Sequence, residues 1–106
     1  MSKDLNIVAT LSVKPGKLDD VLALFKTITQ KTRELEPGVL IYYQYVVPEK
    51  NEVIAVEKYA NKEAFHSHMK TAHLAEFMEK LPDLLEKPAE ARVGGHPSGD
   101  RGLLRL

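Results

Sequence analysis

Val39-Leu40-Ile41-Tyr42-Tyr43-Gln44-Tyr45-Val46-Val47 is apolar or aromatic at every position except Gln44. Its β-branched and tyrosine content favours a strand over a helix, and its length suits one. Alternation along the strand sets Val39, Ile41, Tyr43, Tyr45 and Val47 on one face, and Leu40, Tyr42 and Val46 on the other. Both faces are therefore apolar, whereas an antiparallel sheet with one face in water carries polar residues there. Helices from a chain of 106 residues can cover only one side of a four-stranded sheet. The other side needs a second protein surface, so the pattern predicts a homodimer joined through the sheet face.

Working outward, Pro48-Glu49-Lys50-Asn51-Glu52 is a polar turn and Val53–Tyr59 reads as a second strand, so the pair forms a hairpin. Upstream, Pro37-Gly38 ends a segment in which Leu18, Val21, Leu22, Phe25, Ile28, Thr32 and Leu35 recur at helical steps. Asp19 and Asp20 fall in its first turn, where carboxylates suit the positive end of the helix dipole. Before it, Leu5 to Val13 alternates with period two, and Lys14-Pro15-Gly16-Lys17 breaks that strand. Downstream, Asn61 is a candidate N-cap for a helix carrying Ala64, Phe65 and His68. Thr71 is a candidate cap for another, with Leu74, Phe77, Met78 and Leu81 as its buried stripe and Pro82 at its end. Glu90–Val93 reads as a short fourth strand. The order β-α-β-β-α(α)-β predicts an α+β, ferredoxin-like antiparallel sheet with helices on one face. Residues 1–93 form the domain, and the Gly/Pro-rich 94–106 reads as an extended arm.

Composition narrows the function classes. Fifteen Lys+Arg balance fifteen Asp+Glu without a basic cluster, which argues against a nucleic-acid partner. With no cysteine, disulfides, thiolate nucleophiles and thiolate metal sites are excluded together. No apolar run approaches the roughly 20 residues of a membrane helix. Met1-Ser2-Lys3-Asp4 lacks the apolar core of a signal peptide, so the expectation is a cytoplasmic protein without a membrane partner.

No serine-histidine-aspartate order, phosphate-binding glycine loop or dinucleotide fingerprint is visible. The polar and aromatic candidates are Glu57, Tyr59, His66, His68 and His73. Glu57 and Tyr59 share strand parity; on the helix side, Glu57 would be a buried carboxylate in need of a donor. His68 and His73 follow on adjacent helices and are the natural donors, while His66 lies off their face and His96 has no evident role. A group of this kind either works as chemistry or simply pins helices to sheet. Glu57, His68 and His73 can also be written as a His/His/carboxylate metal triad, but their spacing is specific to no metal.

The run Val56-Glu57-Lys58-Tyr59-Ala60-Asn61-Lys62-Glu63-Ala64-Phe65-His66-Ser67-His68-Met69-Lys70-Thr71-Ala72-His73-Leu74-Ala75-Glu76-Phe77 resembles the signature of antibiotic-biosynthesis-monooxygenase domains. The Val13–Lys17 turn and the Glu36-Pro37-Gly38 helix stop are similar as well, and the likeness spans about Leu5 to Val93. It implies a dimeric α+β barrel, in agreement with the sheet argument, and no metal or other cofactor. Haem-degrading relatives place an Asn and a His where this chain has Ala9 and Met78. Polyketide-oxidising relatives place an Asn, a Tyr and a Trp where it has Ala55, Phe65 and Tyr59. The pattern is nearer the quinol-monooxygenase branch. That likeness implies a cofactor-independent monooxygenase that deprotonates a small phenol or quinol for direct reaction with O₂. His73 or His68 would be the base, Glu57 its orienting partner, and Tyr59 and Phe65 the walls around the ring. Two alternatives stay open: a binding or sensing dimer without turnover, and an isomerase of a small carbonyl compound using the same acid/base groups.

Overall fold

The computed structural model describes residues 3–97, 102, 103 and 105. Strands β1 (Leu5–Ser12), β2 (Val39–Val47), β3 (Glu52–Tyr59) and β4 (Glu90–Gly94) form one antiparallel sheet in the order β2-β3-β1-β4. Helices α1 (Leu18–Leu35), α2 (Lys62–Met69) and α3 (Ala72–Lys80) complete the ferredoxin-like α+β arrangement expected from the sequence.

The punctuation obeys local chemistry. Gly16 takes a φ of +78°, which a side chain would resist, and this lets the chain turn from β1 into α1. Asn61 Oδ1 accepts the Ala64 N–H at 2.8 Å, and Thr71 Oγ1 accepts the Leu74 N–H at 3.2 Å. Both expected caps are therefore made, each satisfying an amide that the helix start leaves open. Pro82 opens a 3-10 turn, Pro82–Leu84, that ends α3.

Register decides which side chains meet the helices. Ala9 pairs with Ala55, and Ala55 with Gln44, so Ile7, Ala9, Leu11, Val53, Ala55, Glu57, Tyr59, Tyr42 and Gln44 share one face. Gln44 Nε2 donates to Thr29 Oγ1 of α1 at 3.2 Å, which identifies that face as the helix side. There α1 contributes Val21, Phe25, Ile28 and Thr32, α3 contributes Leu74 and Phe77, and the Phe25 and Phe77 rings sit 4.9 Å apart. Ile41, Tyr43 and Tyr45 point the other way, beside Val8, Ile54 and Val56. Among the described residues no helix covers that outer face, where Val8 is 44% exposed and Tyr43 and Tyr45 are each 51% exposed. Tyr42 thus belongs to the interior and Ile41 to the outer surface. Leu40 departs from strict alternation: the register shifts between Val39 and Ile41, and Leu40 is exposed.

Gly38 lies at the entry to β2, where a Cβ would stand 2.8 Å from Ala64 Cβ of α2. Of the predicted arm, residues 98–101, 104 and 106 lie outside the described residues. Among those described, Gly94 closes β4 and no helix is long and apolar enough to cross a membrane.

Candidate active site

Between the sheet and the helices lies a cavity of about 270 Å³, with an almost wholly apolar lining. Ala9 and Ala55 form its small-residue floor, Phe77 and Leu81 its far wall, and Tyr42, Glu57, Tyr59, Phe65 and His68 its polar and aromatic end. Small side chains at the sheet centre create the room, because nothing longer than a methyl rises from those two positions. A larger hollow of about 770 Å³, near Lys3, Asn61 and Gly95, is bordered by the charged Asp4, Lys62 and Glu63 and contains none of the candidate residues.

Tyr59 is fully buried, and its hydroxyl donates to Glu57 Oε1 at 2.5 Å. Burial is the largest influence on Glu57 and pushes its carboxyl above the usual range; the Tyr59 bond and the nearby His68 only partly offset this. Burial likewise pushes the Tyr42 and Tyr59 hydroxyls up, and the charge of Glu57 adds to the effect. This end of the cavity therefore resists negative charge on its own groups. Phe65 meets Tyr59 edge-on with ring centres 5.2 Å apart, making an aromatic corner.

The histidines find a different carboxylate from the one the sequence suggested. Glu36, at the C-terminal cap of α1, lies with Oε1 and Oε2 each 3.0 Å from His68 Nδ1. Its Oε2 is also 2.6 Å from His73 Nε2. Burial alone would raise the Glu36 carboxyl, but the bonds from His73 and His68 outweigh it and hold the group below the ordinary carboxylate range. An ionised Glu36 can only accept, so each imidazole presents an N–H to it. For neutral His68 the proton sits on Nδ1, and Nε2 keeps its lone pair. That ring lines the cavity and stands 5.5 Å, centre to centre, from both Tyr42 and Tyr59.

Of the five residues to which the resemblance gives roles, His68, Glu57, Tyr59 and Phe65 meet at the cavity, whereas His73 reaches Glu36 without lining it. The expected pairing of Glu57 with the histidines is replaced by Tyr59, its neighbour two positions along the same strand face. His66 is exposed, and His96 lies against Asp4, away from the cavity. Glu36 and Tyr42 were missed. Glu36 reads in sequence only as part of a helix stop, and its partners lie 32 and 37 residues away.

Comparison with known proteins gives a consistent picture. A family model described as antibiotic biosynthesis monooxygenase matches residues 5–80. An uncharacterised Synechocystis protein, sll1783, is 36% identical over 88 residues, which cover 82% of this chain but only 59% of that protein. The Bacillus subtilis protein YcnE, whose name carries a provisional monooxygenase assignment, is 29% identical over 77% of this chain and 86% of its own. A Bacteroides thetaiotaomicron structure, provisionally named an antibiotic biosynthesis monooxygenase, superposes with a TM-score of 0.84 at 25% identity, covering 97% of each chain.

Proposed function

Because the chain belongs to the antibiotic biosynthesis monooxygenase family, we propose that it is a cofactor-independent oxygenase of a small phenol or quinol, with His68 as the base. The observation that carries this reading is the Glu36–His68 contact, which commits Nδ1 as a donor and leaves Nε2 as an acceptor on a ring lining an apolar cavity. A phenolic O–H placed there gives its proton to Nε2. The phenolate passes one electron to O₂, and the resulting radical pair joins at a hydrogen-bearing ring carbon as a peroxide anion, which takes back the proton held by His68 to become a hydroperoxide. The O–O bond then breaks, and the distal hydroxide leaves as water with the hydrogen of that carbon, so that a carbonyl remains and His68 is again neutral.

Glu57, whose carboxyl burial pushes above its ordinary range, offers a hydrogen bond to a second oxygen on the substrate in its protonated form. Tyr59 and Phe65 flank the aromatic ring. Glu36 is the positioning residue for His68, and His73 steadies Glu36. This revises the ranking of the histidines, since His68 faces the cavity and His73 does not. The exposed Val8, Tyr43 and Tyr45 support assembly as a homodimer through the outer sheet face. A second reading, isomerisation of a small carbonyl compound, is favoured by one observation: His68 and a carboxyl whose pKa burial raises, Glu57, line the same cavity.

The test is oxygen uptake over a panel of quinols and hydroxy-aromatics. His68→Gln should lower the rate by about 10²-fold or more over the autoxidation blank. Undiminished uptake by His68→Gln removes the assignment of the base. A ligand that raises the melting temperature without O₂ uptake favours a binding protein, and substrate rearrangement without O₂ favours the isomerase.

A further inference from the structure

We propose that Glu36, His68 and His73 form a site for a four-coordinate divalent transition-metal ion, zinc foremost, and that filling it disables His68 as a base. The second half rests on the oxygenase reading above; the first does not. A carboxylate oxygen of Glu36, Nδ1 of His68 and Nε2 of His73 all lie within 4.8 Å of one another. The nitrogens stand 3.0 and 2.6 Å from the carboxylate. Zinc holds such ligands at about 2.0–2.2 Å, so tetrahedral angles put neighbouring donor atoms roughly 3.3–3.5 Å apart. Widening each nitrogen–carboxylate distance by less than about 1 Å, and drawing the two nitrogens, which lie within 4.8 Å of each other, to the same spacing, would seat the ion.

The donors come from three elements whose backbones are already fixed. The Glu36 N–H donates to Thr32 O at 2.9 Å, and Thr71 Oγ1 donates to His68 O at 2.8 Å while capping the helix that carries His73. Little ordering is left for the ion to impose. Two imidazoles and a carboxylate suit zinc, and they also suit iron(II) when several coordination positions stay open for substrate and O₂. Those positions are lacking here. The side chains of His68, Glu36 and His73 are 3%, 9% and 11% exposed, and neither Glu36 nor His73 lines the cavity. The enclosure favours a compact ion completed by one water.

Protons link this site to the cavity. Without the ion, the N–H groups aimed at Glu36 are those of His68 Nδ1 and His73 Nε2, and a His68 that serves as a base carries no other ring proton. The ion takes the lone pairs of His68 Nδ1 and His73 Nε2, so each ring proton moves through solvent to the other nitrogen, with none gained or lost. His68 Nε2 then carries a proton and can no longer accept one from a phenol. Zinc would therefore act as a brake rather than as a cofactor.

The experiment begins with purified chain stripped by a chelator and titrated with Co²⁺ alone. The expected result is one cobalt per chain with the visible bands of a tetrahedral ion, displaced by Zn²⁺. Glu36→Gln and His73→Gln should weaken binding by about tenfold or more, whereas His66→Ala, outside the cluster, should not. Nitrogen-15 spectra of the histidine rings should show the His68 proton move from Nδ1 to Nε2 on adding zinc. Quinol-dependent O₂ uptake should fall in proportion to zinc bound and return with chelator. Wild-type protein that gives no tetrahedral cobalt bands at excess metal overturns the site, whatever the variants do. An unmoved His68 proton, or full activity at zinc saturation, overturns the brake. Cobalt binding with the tautomer change, but no O₂ uptake with any quinol, upholds the site and removes the oxygenase reading instead.

Discussion

Replacing Glu36 with Gln tests the cluster most directly, because it keeps the shape and removes the charge. The carboxylate now accepts from two imidazole N–H groups, at 3.0 Å and 2.6 Å, with its side chain only 9% exposed. A hydrogen bond to a charged group contributes about 1.5–3 kcal/mol. The amide has one oxygen, so one histidine keeps an acceptor and the other faces an NH₂. Losing one bond and weakening the other costs about 3–4 kcal/mol gross, and no longer burying a charge returns about 1 kcal/mol. The expected net loss is therefore about 2–3 kcal/mol, a fall in Tm of roughly 8–20 °C for a domain of this size. Urea denaturation at a series of pH values is the assay. Glu36 is depressed below its reference of 4.5, so its stabilisation is complete above that value and lost as pH falls through the folded pKa. The deficit of the Gln variant should be full at neutrality and shrink in acid. A deficit under about 0.5 kcal/mol at pH 7, or one that grows on acidification, would refute the reasoning.

Tyr59→Phe removes the hydroxyl that donates to Glu57 at 2.5 Å, and should cost about 1–2 kcal/mol by urea denaturation. That bond restrains the upward shift of the Glu57 pKa, so its loss raises the pKa further and the deficit should widen as pH climbs through the folded range. Gly38→Ala places a methyl 2.8 Å from Ala64 Cβ and should cost about 1–3 kcal/mol; an unchanged melting curve would mean that α2 gives way freely. Tyr43→Lys puts a charge on the uncovered sheet face and should yield monomer in sedimentation, whereas an intact dimer would place the interface elsewhere.

The elements were legible because each is bounded by residues with one strong local preference. Pro15-Gly16 closes β1 and Pro37-Gly38 closes α1, while Asn61 and Thr71 open α2 and α3. The sharing of one face by Glu57 and Tyr59 was likewise readable from period two. The partner of the histidines was not. Glu36 lies at the end of α1, and only the packing of α1 beside α2 and α3 brings it to His68 and His73. Periodicity carries no information about such a meeting. Nor could it say which face of β2 turns inward, since both are apolar; pairing with β3 decides that Tyr42 does.

One wall of the cavity, with Ala89, Ala91 and Val93, is built from the short edge strand β4 and the residue before it. Strand β4 has five residues, all exposed, and among the described residues it pairs only with β1, over Asn6–Thr10. Edge ladders of this kind open long before a buried centre does. A guest molecule could pass by unzipping a handful of backbone bonds while every helix stays in place, and the traffic would register as fast amide exchange along one short margin of the sheet.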